Sequence, residues 1–136
     1  MRTSATPERN RRLLLVDDHL GAVQALARLL EYHDFQVEIA VDAASAQALL
    51  EQSPPGFLIT DLSLPDRDGR EIARLARSLP NPPRCVLVTG HPIHDDPQEL
   101  EAWGIDRVFP KPIDVNSLVQ YLREVTHAVD SVPRPR

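Results

Sequence analysis

Lysine is almost missing from this chain: of its 15 basic residues only Lys111 is a lysine, and the others are arginine. A point charge rather than a guanidinium fork is therefore wanted at one place. Cysteine is just as scarce. The single Cys85 stands directly before an apolar run and reads as a buried strand residue in a reducing compartment. Aromatics make up only 4%, so the core must be built from Leu, Val, Ile and Ala. None of the five glycines is followed by lysine and no GxGxxG occurs, which excludes a glycine-rich phosphate loop. The apolar run Leu13–Val16 is far too short for a signal core or a membrane span. A net charge of −5 argues against gripping a nucleic-acid backbone. The expectation is a cytoplasmic protein with no membrane contact and no direct nucleic-acid binding.

What is present fits one domain, since 136 residues bury a core without disulfide or metal staples. Residues 1–12 are polar without hydrophobic period and read as a flexible arm, 13–128 as the domain, and 129–136 as a flexible tail or linker stub. Unbroken apolar runs at Leu13–Val16, Phe57–Ile59 and Cys85–Val88 read as strands buried on both faces. Phe35–Val41 alternates like an edge strand, and Arg107–Phe109 makes a brief fifth. Helices are expected over Gly21–Tyr32, with Ala22, Leu26, Leu29 and Leu30 inward, and from Asp42 to about Glu51. Others are expected over Gly69–Leu79, from a cap at Asp96 through Pro97 to Gly104, and from a cap at Asp114 to about Ala128. Five strand–helix alternations predict an α/β fold: a doubly wound, five-stranded parallel sheet with helices on both faces and its ligand site at the strands' carboxyl ends.

Those ends carry Asp17-Asp18, Asp61, Thr89 and Lys111. Three crowded carboxylates demand protons or a cation, and an all-oxygen set suits a hard ion such as Mg²⁺. A hydroxyl and a lysine on the same rim suit the oxygens of a phosphoryl group, which makes Asp61 a plausible nucleophile. Taken singly, Asp17 and Asp18 read as solvated caps of the first helix, Thr89 as a strand-end hydroxyl bonded to backbone, and Lys111 as a surface charge. Taken together they read as a site. A magnesium-dependent phosphohydrolase would normally carry an acid two residues after its nucleophile, where this chain has Ser63.

The motifs LLLVDDH, ITDLSLPDRDG, VLVTG and FPKP stand in this order between Leu13 and His127. In them the chain resembles the receiver domains of bacterial two-component response regulators. The resemblance implies a flavodoxin-like (βα)₅ fold and a phosphoacceptor, not a turnover enzyme. It also implies transfer of a phosphoryl group to Asp61 from a sensor histidine kinase or a histidine phosphotransfer protein. Asp18 directly, Asp17 through water, Asp61 and the main-chain carbonyl of Ser63 would hold Mg²⁺, while Thr89 and Lys111 would bind phosphoryl oxygens. The peptide Lys111-Pro112 would be cis. A changed surface on the last two helices and last strand would then meet a downstream protein target or a second copy in a homodimer.

The sequence departs from the family's pattern in two places. Val108 stands where the last strand usually carries an outward aromatic, with Phe109 expected on the other face, and Pro97 cuts the fourth helix of the family's five. A receiver fold kept as an interaction module, with output independent of phosphorylation, is the competing reading. Ser63 and His91 stand where such domains tune the lifetime of the aspartyl phosphate. His91, His94, Asp95 and Asp96 read as a solvated loop ahead of a second metal site. Trp103 is expected to pack its helix on the sheet, and His19 to be an exposed loop residue.

Overall fold

The computed structural model describes residues 7–90 and 96–131. A single turn of helix, α1 (Pro7–Asn10), precedes five strands: β1 (Arg12–Val16), β2 (Gln36–Ala40), β3 (Phe57–Asp61), β4 (Arg84–Thr89) and β5 (Arg107–Pro110). Between and after them run α2 (Leu20–Tyr32), α3 (Ala43–Gln52), α4 (Gly69–Arg77), α5 (Pro97–Trp103) and α6 (Val115–Ser131). All strand pairs are parallel and the order is β2-β1-β3-β4-β5, the flavodoxin-like winding expected. β5 therefore lies at an edge, opposite β2, and only β1, β3 and β4 are central.

The alternation of side chains along each strand builds two cores. Leu13, Leu15, Phe57, Ile59, Val86, Val88 and Phe109 face α2 and α6, meeting Val23, Ala27, Leu30, Leu118, Val119 and Leu122. Leu14, Val16, Leu58, Cys85 and Leu87 face α3, α4 and α5, meeting Ala46, Leu50, Ile72, Ala73 and Ala76. Full burial of one such leucine stabilises by roughly 1.5–3 kcal/mol, so these two layers dominate the fold. Cys85 lies within the second core, and burial pushes its thiol up to about 12, which leaves it without a thiolate to react.

Caps behave as read. Asp42 accepts from the Ser45 amide, Asp96 from Gln98, and Asp114 from Asn116, while Gly104 closes α5 in the left-handed region at φ 77°. Three readings need correction. The arm expected over 1–12 is folded from Pro7: Asn10 is buried, and the guanidinium groups of Arg9 and Arg12 donate to the carbonyls of Pro54, Asn81 and Ser53. Those contacts are polar, so no hydrophobic period announced them. The last helix continues past Ala128 to Ser131, into the expected tail. On α2 the inward stripe is Val23, Ala27 and Leu30, while Ala22 and Leu29 are exposed. Two apolar stripes lie side by side on this helix, and periodicity alone could not say which one meets the sheet. His91, His94 and Asp95 lie outside the described residues.

Gly69 begins α4 hard against the end of β3, where a Cβ atom would stand 1.9 Å from the carbonyl oxygen of Asp61. Backbone is on both sides of that contact and neither can swing away. Gly69→Ala is expected to lower stability by roughly 1–3 kcal/mol, the usual range for forced overpacking. Urea denaturation with an unchanged midpoint would contradict that close approach.

Candidate functional site

The register of the three central strands assembles the site. Val16 pairs with Thr60 and Asp61 with Val88, so Asp17, Asp61 and Thr89 emerge at one edge from neighbouring strands. Thr89 pairs in turn with Pro110, and its carbonyl accepts from the Lys111 amide at 2.8 Å. Lys111 is thereby brought over the carboxylates, with its Nζ 3.3 Å from Asp17 Oδ2 and 3.3 Å from Asp61 Oδ2. The Lys111-Pro112 peptide is cis, as expected. Asp61 and Thr89 are buried, Asp17 is half-buried and Asp18 is exposed.

Charge in this cluster is unbalanced. Burial pushes the Asp17 carboxyl up, but the His19 amide and ring and the Lys111 ammonium outweigh it and hold the group below its ordinary value. Burial likewise pushes Lys111 down, and Asp61 and Asp17 together raise it above the usual lysine value. Partly solvated pairs of this kind are worth about 1 kcal/mol or less, so their office is compensation of charge, not stability. Ligand atoms of Asp17, Asp18, His19 and Asp61 lie within 4.8 Å of one another. Three carboxylates facing one ammonium fit a hard divalent cation. The sequence reading missed His19 as part of this group. Its ring is largely exposed, as expected of a loop residue, yet Nδ1 stands 3.1 Å from Asp17 Oδ1 and 3.2 Å from Asp18 Oδ1. The adjacency of His19 to two aspartates was the available signal.

The loop after Asp61 is held at several points. The Leu62 amide donates to Val88, Gly69 donates to Leu62, and Ser63 and Asp68 form an isolated antiparallel bridge. Ser63 is thus fixed two residues beyond Asp61 on a short, tethered backbone. Asp66, also unremarked in the sequence, accepts from the amides of Ala43 and Ala44 at 2.8 and 3.1 Å, capping α3 from another segment. Asp68 caps α4 and grips Arg70. Arg70 and Arg74 then flank the half-buried Trp103, their guanidinium carbons 5.2 and 5.6 Å from its ring centre. Trp103 packs against the second core, as read, and also meets Arg70 and Arg74 of α4. Val108 joins that core half-buried and Phe109 the other, so the pair points to opposite faces.

Beside the carboxylates opens a cleft of about 720 Å³. Asp17, Asp61 and Lys111 form one end, and its walls are apolar: Ala22, Ala25, Leu26 and Leu29 from α2 face Pro112, Ile113 and Val115. Leu20 and Leu29 on this helix are 48% and 47% exposed.

The family model of response regulator receiver domains matches residues 13–123. The chain belongs to this family. Over 124 residues the receiver is 30% identical to the photosynthetic apparatus regulatory protein RegA of Rhodobacter capsulatus, covering 91% of this chain and 67% of that one. It is 34% identical over 143 residues to the virulence sensor protein BvgS of Bordetella pertussis, covering 98% of this chain but only 12% of BvgS. Among solved structures, a CheY-like receiver domain protein from Methanospirillum hungatei superposes with a TM-score of 0.81 at 26% identity, over 88% of this chain and 96% of that one. No described helix of the receiver is long and apolar enough to cross a membrane.

The hydrogen bonds of Asp66 hold its carboxyl below the ordinary aspartate value, chiefly through the Ala43 amide. A depressed folded-state value means that the contact stabilises fully above the ordinary one and is lost as pH falls through the lowered one. Asp66→Ala is accordingly expected to lower the urea midpoint at pH 7, with a difference that begins to shrink below about pH 4. A difference that stays constant into acid would show that the carboxylate is not the active element.

Proposed function

We propose that Asp61 accepts a phosphoryl group from a phosphohistidine, that Asp17, Asp18, Asp61 and the Ser63 carbonyl hold Mg²⁺, and that Thr89 and Lys111 bind phosphoryl oxygens. The observation that carries this reading is Lys111 Nζ, equidistant from Asp17 and Asp61 over a buried carboxylate at the sheet edge. A bound Mg²⁺ supplies the positive charge that screens Asp61 from an anionic donor. An Asp61 oxygen attacks phosphorus; the new P–O bond forms as the donor's P–N bond breaks, and the imidazole nitrogen keeps the electron pair and takes up a proton. Lys111 then exchanges its pairing with Asp61 for a phosphoryl oxygen, and the Thr89 hydroxyl donates to another. Because both stand at the ends of β4 and β5, their movement reaches the surface of α5, β5 and α6, where a target protein binds. Val108 leaves that relay without the family's aromatic rotamer.

The donor is a sensor histidine kinase or histidine phosphotransfer protein that presents its histidine on a helix. Support comes from the cleft, whose apolar walls run directly into the Asp61 end, as a helix-in-groove contact requires.

Two experiments test the reading. Incubation with acetyl phosphate should add one phosphoryl group to the intact mass only when Mg²⁺ is present, and Asp61→Asn should abolish the gain while Lys111→Ala weakens it. Full labelling of Asp61→Asn would refute the site. Leu29→Glu should leave labelling by acetyl phosphate unchanged but slow transfer at least tenfold from whichever autophosphorylated kinase labels the wild-type chain fastest. Equal rates from that kinase would move the docking surface elsewhere.

A further inference from the structure

Helix α5 is attached to the domain differently from its neighbours. Each of α2, α3, α4 and α6 buries several side chains, whereas α5 buries none and rests on the second core only through the half-buried Leu100 and Trp103. The rest of its attachment comes from one face of α4. Arg70 and Arg74, four residues apart, stand over the Trp103 ring at 5.2 and 5.6 Å, and Arg77 donates to the Glu101 carbonyl. Elements held by few buried contacts are those whose position a protein can shift at low cost.

The two arginines on the ring are not equivalent. Arg70 also reaches the loop that follows Asp61, because its Nε and Nη2 donate to the two oxygens of Asp68 at 3.1 and 2.8 Å. Asp68 is bridged to Ser63, and the Gly69 amide closes the same loop on the Leu62 carbonyl at 2.7 Å. These bonds to Asp68 raise the Arg70 guanidinium above the ordinary arginine value, and Glu99 of α5 adds to the effect. The Arg74 guanidinium makes no hydrogen bond or ion pair among the described residues. Contacts therefore run without a gap from Ser63 through Asp68 and Arg70 to Trp103, and Arg74 lies outside that line.

We infer that Arg70 couples α5 to the state of the Asp61 site, so that phosphorylation is read out as a change in the surroundings of Trp103. As the Ser63 carbonyl turns toward the loaded site, its bridge passes the shift to Asp68. Arg70, held by both carboxylate oxygens, follows Asp68 and moves along the face of the indole. A guanidinium is suited to this link, since its edge holds a carboxylate while its face lies on a ring. The inference rests on the phosphoacceptor reading of Asp61 and adds to it the residue that carries the signal to α5. A line of contacts is only a candidate route until coupling along it is measured.

Trp103 is the chain's single tryptophan, so its emission, excited where tyrosine does not absorb, reports on α5 alone. The full chain and the variants Arg70→Ala, Arg70→Gln and Arg74→Ala are incubated with acetyl phosphate and Mg²⁺, with intact mass recorded beside emission. Each response is taken relative to the same protein before labelling. Wild-type emission is expected to change in step with the added phosphoryl group. Both Arg70 variants should be labelled at a rate within twofold of wild type, yet their emission response should fall at least fivefold. Arg74→Ala removes a cation from the same ring but no link to the loop, and it should keep more than half of the response. Labelled wild type with unchanged emission overturns the inference alone. So does a full response in the Arg70 variants, and so does an equal loss in Arg74→Ala, which would make Arg70 a packing residue. Loss of labelling in both Arg70 variants overturns it as well, because Arg70 would then belong to the phosphoacceptor site itself. A wild-type chain that takes up no phosphoryl group overturns the inference together with the reading on which it rests.

Discussion

The lone lysine resting between Asp17 and Asp61 is the interaction on which the rest of this receiver turns. A parallel sheet delivers its strand ends to one edge, and here three strands and the residue after one of them bring carboxylates and a hydroxyl to the same edge. Like charges at that spacing repel, and burial on the sheet side denies Asp61 the water that would relieve it. Lys111 compensates two of the carboxylates at once, and the directions in which it and Asp17 are shifted show opposite charges stabilising one another against burial. One positive charge among three negative ones leaves a deficit of the kind that suits a divalent cation.

Around this cluster the backbone is unusually constrained. The loop that follows Asp61 is tied to β4 through Leu62, to α3 through Asp66 and to α4 through Asp68 and the close approach of Gly69. From Asp68 the contacts continue to Arg70 and on to Trp103 at the end of α5. A charged site beside a tethered loop, linked by stacked guanidinium groups to a short helix, provides a physical connection from the sheet edge to the face on which Val108 replaces the family's aromatic. Its parts are polar and local, unlike the two apolar cores, which hold the scaffold still.

Helix α2 serves two surfaces. Its Val23, Ala27 and Leu30 close the first core, while Ala22, Leu26 and Leu29 stand over the cleft beside the carboxylates. A helix that only covered a sheet would carry polar residues on that second stripe. The apolar excess was visible in the chain, but its meaning was not, because helical period reports how many faces are apolar and not which of them is covered.

The amino-acid sequence by itself determined the fold class, the order of strands and helices, the caps at Asp42, Asp96 and Asp114, and the set Asp17, Asp18, Asp61, Thr89 and Lys111. These follow from local signals: apolar runs, helical period, capping residues and carboxylates at strand ends. The folding of Pro7–Asn10 onto the domain, the edge place of β5, the second face of α2, the cap that Asp66 supplies to α3 and the contact of His19 with both aspartates were decided by tertiary structure. Each depends on which segments meet across the sheet, and hydrogen bonds between residues tens of positions apart leave no period in the chain. His19 is the exception in distance but not in kind: its neighbours are adjacent in sequence, yet only the turn into α2 decides that its ring folds back onto them.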